Sequence, residues 1–105
     1  MSIDLTLLAS DLGCSQDDVK VMLLDIVTGL DDIFVAIEAT IDDEDYDSII
    51  ELDEAVKTQI AHFNLNNMEA SVFALSEGAS AKDKNATQSA FDNLKKNLEE
   101  IKSVI

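Results

Sequence analysis

The 105-residue sequence contains no proline, no tryptophan and only three glycines. Proline and glycine are the residues that most often interrupt helices, so their scarcity favours helix throughout the chain. The hydrophobic residues, 47% of the chain, are mostly leucine, isoleucine, alanine and valine. We therefore predict an all-α fold, and the length predicts one domain, residues 1–105, with a single core.

Positive charge is also scarce: 7 Lys and Arg stand against 22 Asp and Glu, for a formal net charge of −15. Such a chain repels the phosphates of nucleic acids and anionic lipids, so neither nucleic acid nor a membrane surface is an expected partner. No apolar run approaches the roughly 18 to 20 residues that span a bilayer, and the first residues lack the basic segment of a signal peptide. We expect a cytoplasmic protein.

Residues that carry catalytic chemistry are few. Cys14 is the only cysteine and His62 the only histidine, so no intrachain disulfide is possible. The sequence contains no Ser/His/Asp or Cys/His set, no glycine-rich phosphate loop and no His/Cys metal cluster. We expect neither an enzyme nor a bound cofactor.

Apolar residues at spacings of three and four predict helices along most of the chain. A short first helix runs from a cap at Asp4 to Gly13, with one face made of Leu5, Leu8 and Leu12. Ser15 caps a long second helix that reaches Thr40. Its apolar residues are Val19, Met22, Leu23, Ile26, Leu30, Ile33, Phe34, Ile37 and Ile41. The acidic run 42–45 predicts a turn.

The central helix is predicted from Asp45 to about His62, with Asn64 in the exit turn. Its apolar stripe, expected in the core, consists of Ile49, Leu52, Val56, Ile60 and Phe63. A second stripe lies about a third of a turn away and is expected on the surface. We call it the docking stripe; it consists of Ile50, Glu54, Lys57, Thr58 and Ala61.

Two more helices complete the prediction. The fourth starts near Asn67 and frays around residues 78–80; its apolar face consists of Met68, Val72, Leu75 and Ala79, with Phe73 alongside. Asn85 caps the fifth, whose seam consists of Phe91, Leu94, Leu98, Ile101 and Ile105. Because the connections are short, the four long helices must alternate in direction. The prediction is an up-and-down four-helix bundle with a short N-terminal lid helix.

The chain resembles the histidine-phosphotransfer (HPt) domains of bacterial two-component phosphorelays over essentially its whole length. The resemblance lies in the order of helices, in Leu12-Gly13-Cys14-Ser15 with acids opening a long helix, and in the acidic turn with Asp45-Tyr46. The family motif is a His, a Lys three residues later, a small residue at four, and a turn residue at ten followed by an apolar one. Aligned on Lys57, the matching positions hold Glu54, Thr58, Asn64 and Leu65.

The resemblance therefore places Glu54 where the phosphorylated His should be. A neutral imidazole is a good nucleophile toward an aspartyl phosphate, and a carboxylate at neutral pH is a poor one. The resemblance also implies that Lys57 corresponds to the cation that holds the phosphoryl group. We expect a monomeric domain that binds a response-regulator receiver domain, or a sensor kinase, through the docking stripe without being phosphorylated.

An active phosphotransfer protein using His62 is the first alternative. The residues three and four positions after His62 are Leu65 and Asn66, which are neither a cation nor a small residue. His62 also lies at the predicted end of its helix, where a histidine commonly complements the helix dipole.

A calcium-responsive helical module is the second alternative. Asp43, Asp45, Asp47 and Glu54 occupy positions 1, 3, 5 and 12 of an EF-hand loop. Against this, position 6 holds Ser48 where the sharp turn requires glycine, and the sequence offers no second loop. A plain interaction bundle without a phosphorelay role is the third alternative.

Overall fold

The computed structural model describes residues 5–61 and 66–105. Within these two ranges the secondary structure is entirely helical, so the all-α prediction is confirmed. The helices are α1 Leu5–Leu12, α2 Gln16–Asp42, α3 Tyr46–Ala61, α4 Asn66–Ser80 and α5 Lys84–Lys102. Among the described residues, no helix combines the length and the apolar character that crossing a bilayer demands.

Local capping residues set most of the helix boundaries. Gly13 takes the left-handed conformation, with φ of 68°, after the end of α1. The Ser15 hydroxyl accepts a hydrogen bond from the backbone N–H of Asp18 at 3.1 Å and caps α2, as predicted. The prediction of Asn85 as the cap of α5 is wrong. Asp83 has the extended backbone of a cap residue and accepts from the N–H of Ala86 at 3.1 Å, which leaves Asn85 inside the helix.

The acidic run between α2 and α3 forms a turn, as predicted. Glu44 has a positive φ of 55°, so the chain has left the right-handed conformation of α2 at this residue. Asp45 then caps α3 from the position before its first residue: its carboxylate accepts a hydrogen bond from the Ser48 backbone N–H at 3.3 Å and one from the Ser48 hydroxyl at 2.7 Å. The run therefore holds both the exit from one helix and the cap of the next.

The four longer helices contact one another in a closed ring, α2 to α3, α3 to α4, α4 to α5 and α5 back to α2, whereas α1 contacts α2 alone within the described chain. The molecule measures 42 × 21 × 20 Å. A 27-residue helix is about 40 Å long, so α2 spans the whole length. The α5–α2 side is joined by an ion pair between Lys102 and Asp31 at 3.0 Å and by an edge-to-face contact between Phe34 and Phe91.

The turn that precedes α3 and the turn that precedes α5 lie at the same end of the molecule. The electrostatic surroundings of Tyr46, the first residue of α3, indicate this. Partial burial raises the pKa of Tyr46, and the negative charges of Glu44 and Asp83 raise it further. Glu44 belongs to the α2–α3 turn and Asp83 to the α4–α5 turn, so both turns lie close to the same phenol.

The core contains most of the apolar residues that the spacing predicts. The fully buried large side chains include Val19, Leu23, Leu30, Ile37, Ile41, Ile49, Val56, Met68, Leu75, Phe91, Leu94 and Ile101. Several predicted members are instead exposed, among them Leu12, Met22 and Ile105, and Phe73, predicted alongside the apolar face of α4, is exposed as well. Leu12 is the last residue of α1 and Ile105 lies beyond the end of α5, where packing partners are fewer.

The predicted fraying of α4 around residues 78–80 is wrong. The helix continues to Ser80, and Gly78 and Ala79 are buried. The glycine allows close packing here, since a Cβ placed on Gly78 would lie 2.9 Å from the backbone nitrogen of Thr87 in α5. Gly78 is thus a contact residue between two helices.

Candidate functional site on helix α3

The core side of α3 contains the carboxylic acid Asp53, whereas the prediction placed its neighbour Leu52 there. The buried residues are Ile49, Asp53, Val56 and Ile60, whereas Leu52 is only partly buried against the edge of the core. With 3.6 residues per turn, Asp53 lies about 40° from Ile49 around the helix axis and Leu52 about 60° away on the other side. The helix is therefore rotated slightly toward Asp53, and the prediction of Leu52 as a buried core residue is wrong.

The docking stripe is mostly exposed. Glu54, Lys57, Thr58 and Ala61 are on the surface, with the Glu54 and Lys57 side chains 64% and 50% exposed. Ile50 differs, because it is partly buried and packs against the core. The stripe therefore has one apolar edge that packs against the core, and its other four residues are exposed.

Glu54 and Lys57 form an ion pair on this surface. Lys57 Nζ donates to Glu54 Oε1 at 3.2 Å across one turn of the helix. Thr58 turns its hydroxyl inward, donating to the Glu54 backbone carbonyl at 3.1 Å, so its methyl group is the part left for contact. Exposed pairs of this kind contribute little to stability, and both partners are accessible to another molecule.

Asp53 is the residue that sequence reasoning missed. It is 1% exposed, and neither carboxyl oxygen has a hydrogen-bond partner among the described residues. Burial raises the pKa of Asp53 from its ordinary value of 3.8 to about 7; the Lys57 charge lowers it and the Glu54 charge raises it. The sequence signal that could have indicated its burial was the spacing: Asp53 lies four residues after Ile49 and three before Val56, on the same face of the helix.

The acidic residues of the EF-hand alternative are not brought together. In the described part of the chain, no group of three or more His, Cys, Asp or Glu side chains is placed to hold a metal ion. Tyr46 to Glu54, positions 4 to 12 of the supposed loop, are helical. Asp47 and Glu54 are seven residues apart in α3, about 10 Å along its axis. These residues do not form an EF-hand loop.

Five residues of the sequence interpretation lie outside the described residues: Asp4, predicted to cap the first helix, and His62, Phe63, Asn64 and Leu65. Cys14, which follows Gly13 in the α1–α2 connection, is half-buried and has a free thiol. Phosphoacceptance by His62 and the turn position of Asn64 therefore stay predictions.

Comparison of the chain with protein-family models, with curated proteins and with solved structures gave no match. On the docking stripe, the exposed Glu54–Lys57 ion pair lies between the apolar edge at Ile50 and the small residue Ala61.

Proposed function

We propose that the chain is an HPt-like signalling domain that binds a response-regulator receiver domain without being phosphorylated. In this proposal α2 to α5 form an up-and-down four-helix bundle and α1 is its lid. Support comes from the closed ring of helix contacts and from the two turns that meet near Tyr46. The connections from α2 to α3 and from α4 to α5 are three residues each, too short to cross the length of the molecule, so the helices they join run in opposite directions.

The observation that carries the proposal is the Glu54–Lys57 pair. Glu54 stands where the HPt motif has its phosphoacceptor histidine, and Lys57 where the motif has its cation. The two side chains lie on the solvent side of α3, 3.2 Å apart. A phosphoacceptor must face solvent to meet the receiver, and this position does so while holding a carboxylate.

Glu54 is unsuited to phosphoryl transfer for three reasons. A carboxylate is a weak nucleophile toward an aspartyl phosphate compared with a neutral imidazole. Its charge also repels the arriving phosphoryl group, by about 1 to 4 kcal/mol for two charges near 4 Å at a protein surface. In addition, Lys57 already donates a hydrogen bond to Glu54, so its charge is not available to a phosphoryl group. The same negative charge allows Glu54 to act as a permanent, weaker substitute for a phosphorylated side chain.

Binding then uses the whole docking stripe. Ile50 supplies an apolar anchor whose position is fixed by the core on one side. Ala61 and the Thr58 methyl group permit close approach of the partner's backbone. The Glu54–Lys57 pair lies between them and can exchange its mutual contact for contacts with polar groups of the receiver.

The decisive experiment incubates the protein with a panel of phosphorylated receiver domains and measures both phosphoryl transfer and binding. We expect binding to at least one receiver and no acid-labile phosphate on the wild-type protein. Glu54→His should convert the protein into an acceptor, because Lys57 and Thr58 already occupy the positions that the motif requires.

The chain contains a matched control for this gain of function. Glu99 in α5 is also exposed and also pairs with a lysine three residues later, Lys102, at 3.4 Å. Ser103, a small residue, follows that lysine, so Glu99→His reproduces the local spacing on another helix. We expect no transfer to Glu99→His. Phosphohistidine on His62 of the wild-type protein would contradict the proposal, and absence of binding to every receiver would favour a plain interaction bundle.

A further inference from the structure

Asp53 has an environment unlike that of any other acidic residue in the described chain. It is the one acid among the described residues that is buried, and both oxygens lack hydrogen-bond partners there. A buried carboxylate without partners is strongly unfavourable, because the cost of removing its charge from water is not repaid. The neutral acid avoids most of that cost. The burial therefore selects the protonated form in the folded state.

The surroundings offer little to stabilise the ionised form. Helices α2 and α4 pack against α3, and the buried side chains that they contribute in the described chain are apolar except for Ser71, whose hydroxyl bonds to Asn97 of α5. The charged groups that act on Asp53 are Lys57 and Glu54 of its own helix. Lys57 is half exposed and already bonded to Glu54.

We propose that Asp53 is a proton-operated switch in α3: it is a neutral acid when the helix is packed on the core, and its ionisation loosens the helix. The proposal rests on the position of Asp53 and holds whatever the partner of the docking stripe is. An ionised Asp53 must reach water or a cation, and the cation within reach is Lys57, one turn further along the helix. Lys57 would then leave Glu54, so the same event changes the charge pattern of the docking stripe.

The direction of the pH effect follows from the two states. In the unfolded chain Asp53 ionises near its ordinary pKa of 3.8, whereas burial raises its pKa in the folded protein to about 7. Between these values the folded state holds a proton that the unfolded state has lost. Stability therefore falls as pH rises through this window, by up to about tenfold in the unfolding equilibrium constant per pH unit, and the effect levels off above pH 7.

The test compares urea unfolding, followed by circular dichroism, from pH 5 to pH 8 for the wild type, Asp53→Asn and Glu51→Gln. Asparagine has nearly the same size as aspartate and cannot ionise. Glu51 is an exposed acid of the same helix, so its amide variant is the matched control. We expect the unfolding constant of the wild type to rise by about tenfold or more between pH 5 and pH 7 relative to Asp53→Asn. Glu51→Gln should keep the wild-type dependence.

Two measurements keep the proposal testable if Asp53→Asn folds poorly. A carbon-detected NMR titration of the wild type should place the Asp53 carboxyl midpoint well above that of exposed acids. In Lys57→Gln that midpoint should move upward, since the lysine charge favours ionisation. A midpoint below pH 5, or equal pH dependence in the wild type and Asp53→Asn, would overturn the proposal. No receiver domain enters these assays, so their result is separate from that of the proposed function.

Discussion

Alanine at Gly29 and alanine at Gly78 are expected to change stability in opposite directions, although both glycines lie inside helices. A Cβ placed on Gly29 has no heavy atom within 4 Å, so the substitution adds only helix propensity. A Cβ placed on Gly78 lies 2.9 Å from both the backbone nitrogen and the hydroxyl oxygen of Thr87, and 3.1 Å from its Cα. Two of these three atoms are backbone, so α5 itself must move away from α4.

The magnitudes follow from these distances. Ordinary contact begins at 3.4 Å, so α5 must shift by about half an ångström along a tightly packed seam, and overpacking of this kind costs about 1 to 3 kcal/mol. Replacing a helical glycine by alanine gains about 0.5 to 1 kcal/mol. We expect Gly29→Ala to stabilise by that gain alone. For Gly78→Ala the gain offsets part of the overpacking cost, so we expect a net destabilisation of about 1 kcal/mol, within a range of about 0 to 2.5 kcal/mol.

Thermal unfolding followed by circular dichroism distinguishes the two variants, because 1 kcal/mol shifts the Tm of a domain of this size by about 4 to 8 °C. Gly29→Ala should melt a few degrees above the wild type and Gly78→Ala several degrees below it. If Gly78→Ala melted as high as Gly29→Ala, the close approach of α4 and α5 at Thr87 would be refuted. Gly29→Ala is the internal control, since it carries the same gain in propensity without the contact.

Two other substitutions and one ligand test the remaining structural statements. Val56→Ala should cost about 2 to 3 kcal/mol of unfolding free energy, because the side chain is fully buried. Ile50→Ala should lower the unfolding free energy by only about 1 kcal/mol, since Ile50 is partly buried, and it should also weaken receiver binding. If the two variants were equally destabilised, Ile50 would be a core residue and the docking stripe would lie elsewhere on α3. Micromolar calcium should leave the Tm unchanged, because Asp47 and Glu54 cannot converge on one ion; a saturable increase would contradict this.

Sequence reasoning succeeded where the determining interaction is local. The cap at Ser15 needs only a hydroxyl and the backbone N–H three residues later, and the left-handed Gly13 needs only the absence of a Cβ. The seam residues Phe91, Leu94 and Leu98 are spaced for burial whatever helix they meet, and all three are buried. These features do not depend on how the helices are arranged in space.

It failed where a residue's role depends on its neighbour in another helix. Gly78 appeared to weaken the end of α4, yet it is buried because the backbone of α5 passes beside it. Asp83 and Asn85 are both good cap residues, and only the path of the α4–α5 turn selects Asp83. Leu52 and Asp53 are almost equally placed around α3, and hydrophobicity alone favoured the leucine.

The departures from a simple amphipathic pattern concentrate on α3. Its core side carries an acid without hydrogen-bond partners, and an ion pair of little value to stability lies on its solvent side. A helix selected only for packing would carry an apolar residue at position 53, which removes the cost of burying a polar group. Local choices that oppose stability are most often retained at functional positions. Lys57 lies within one turn of both Asp53 and Glu54, and its charge lowers the pKa of Asp53. In the proposed switch, this single side chain would carry a change at the buried acid to the exposed face.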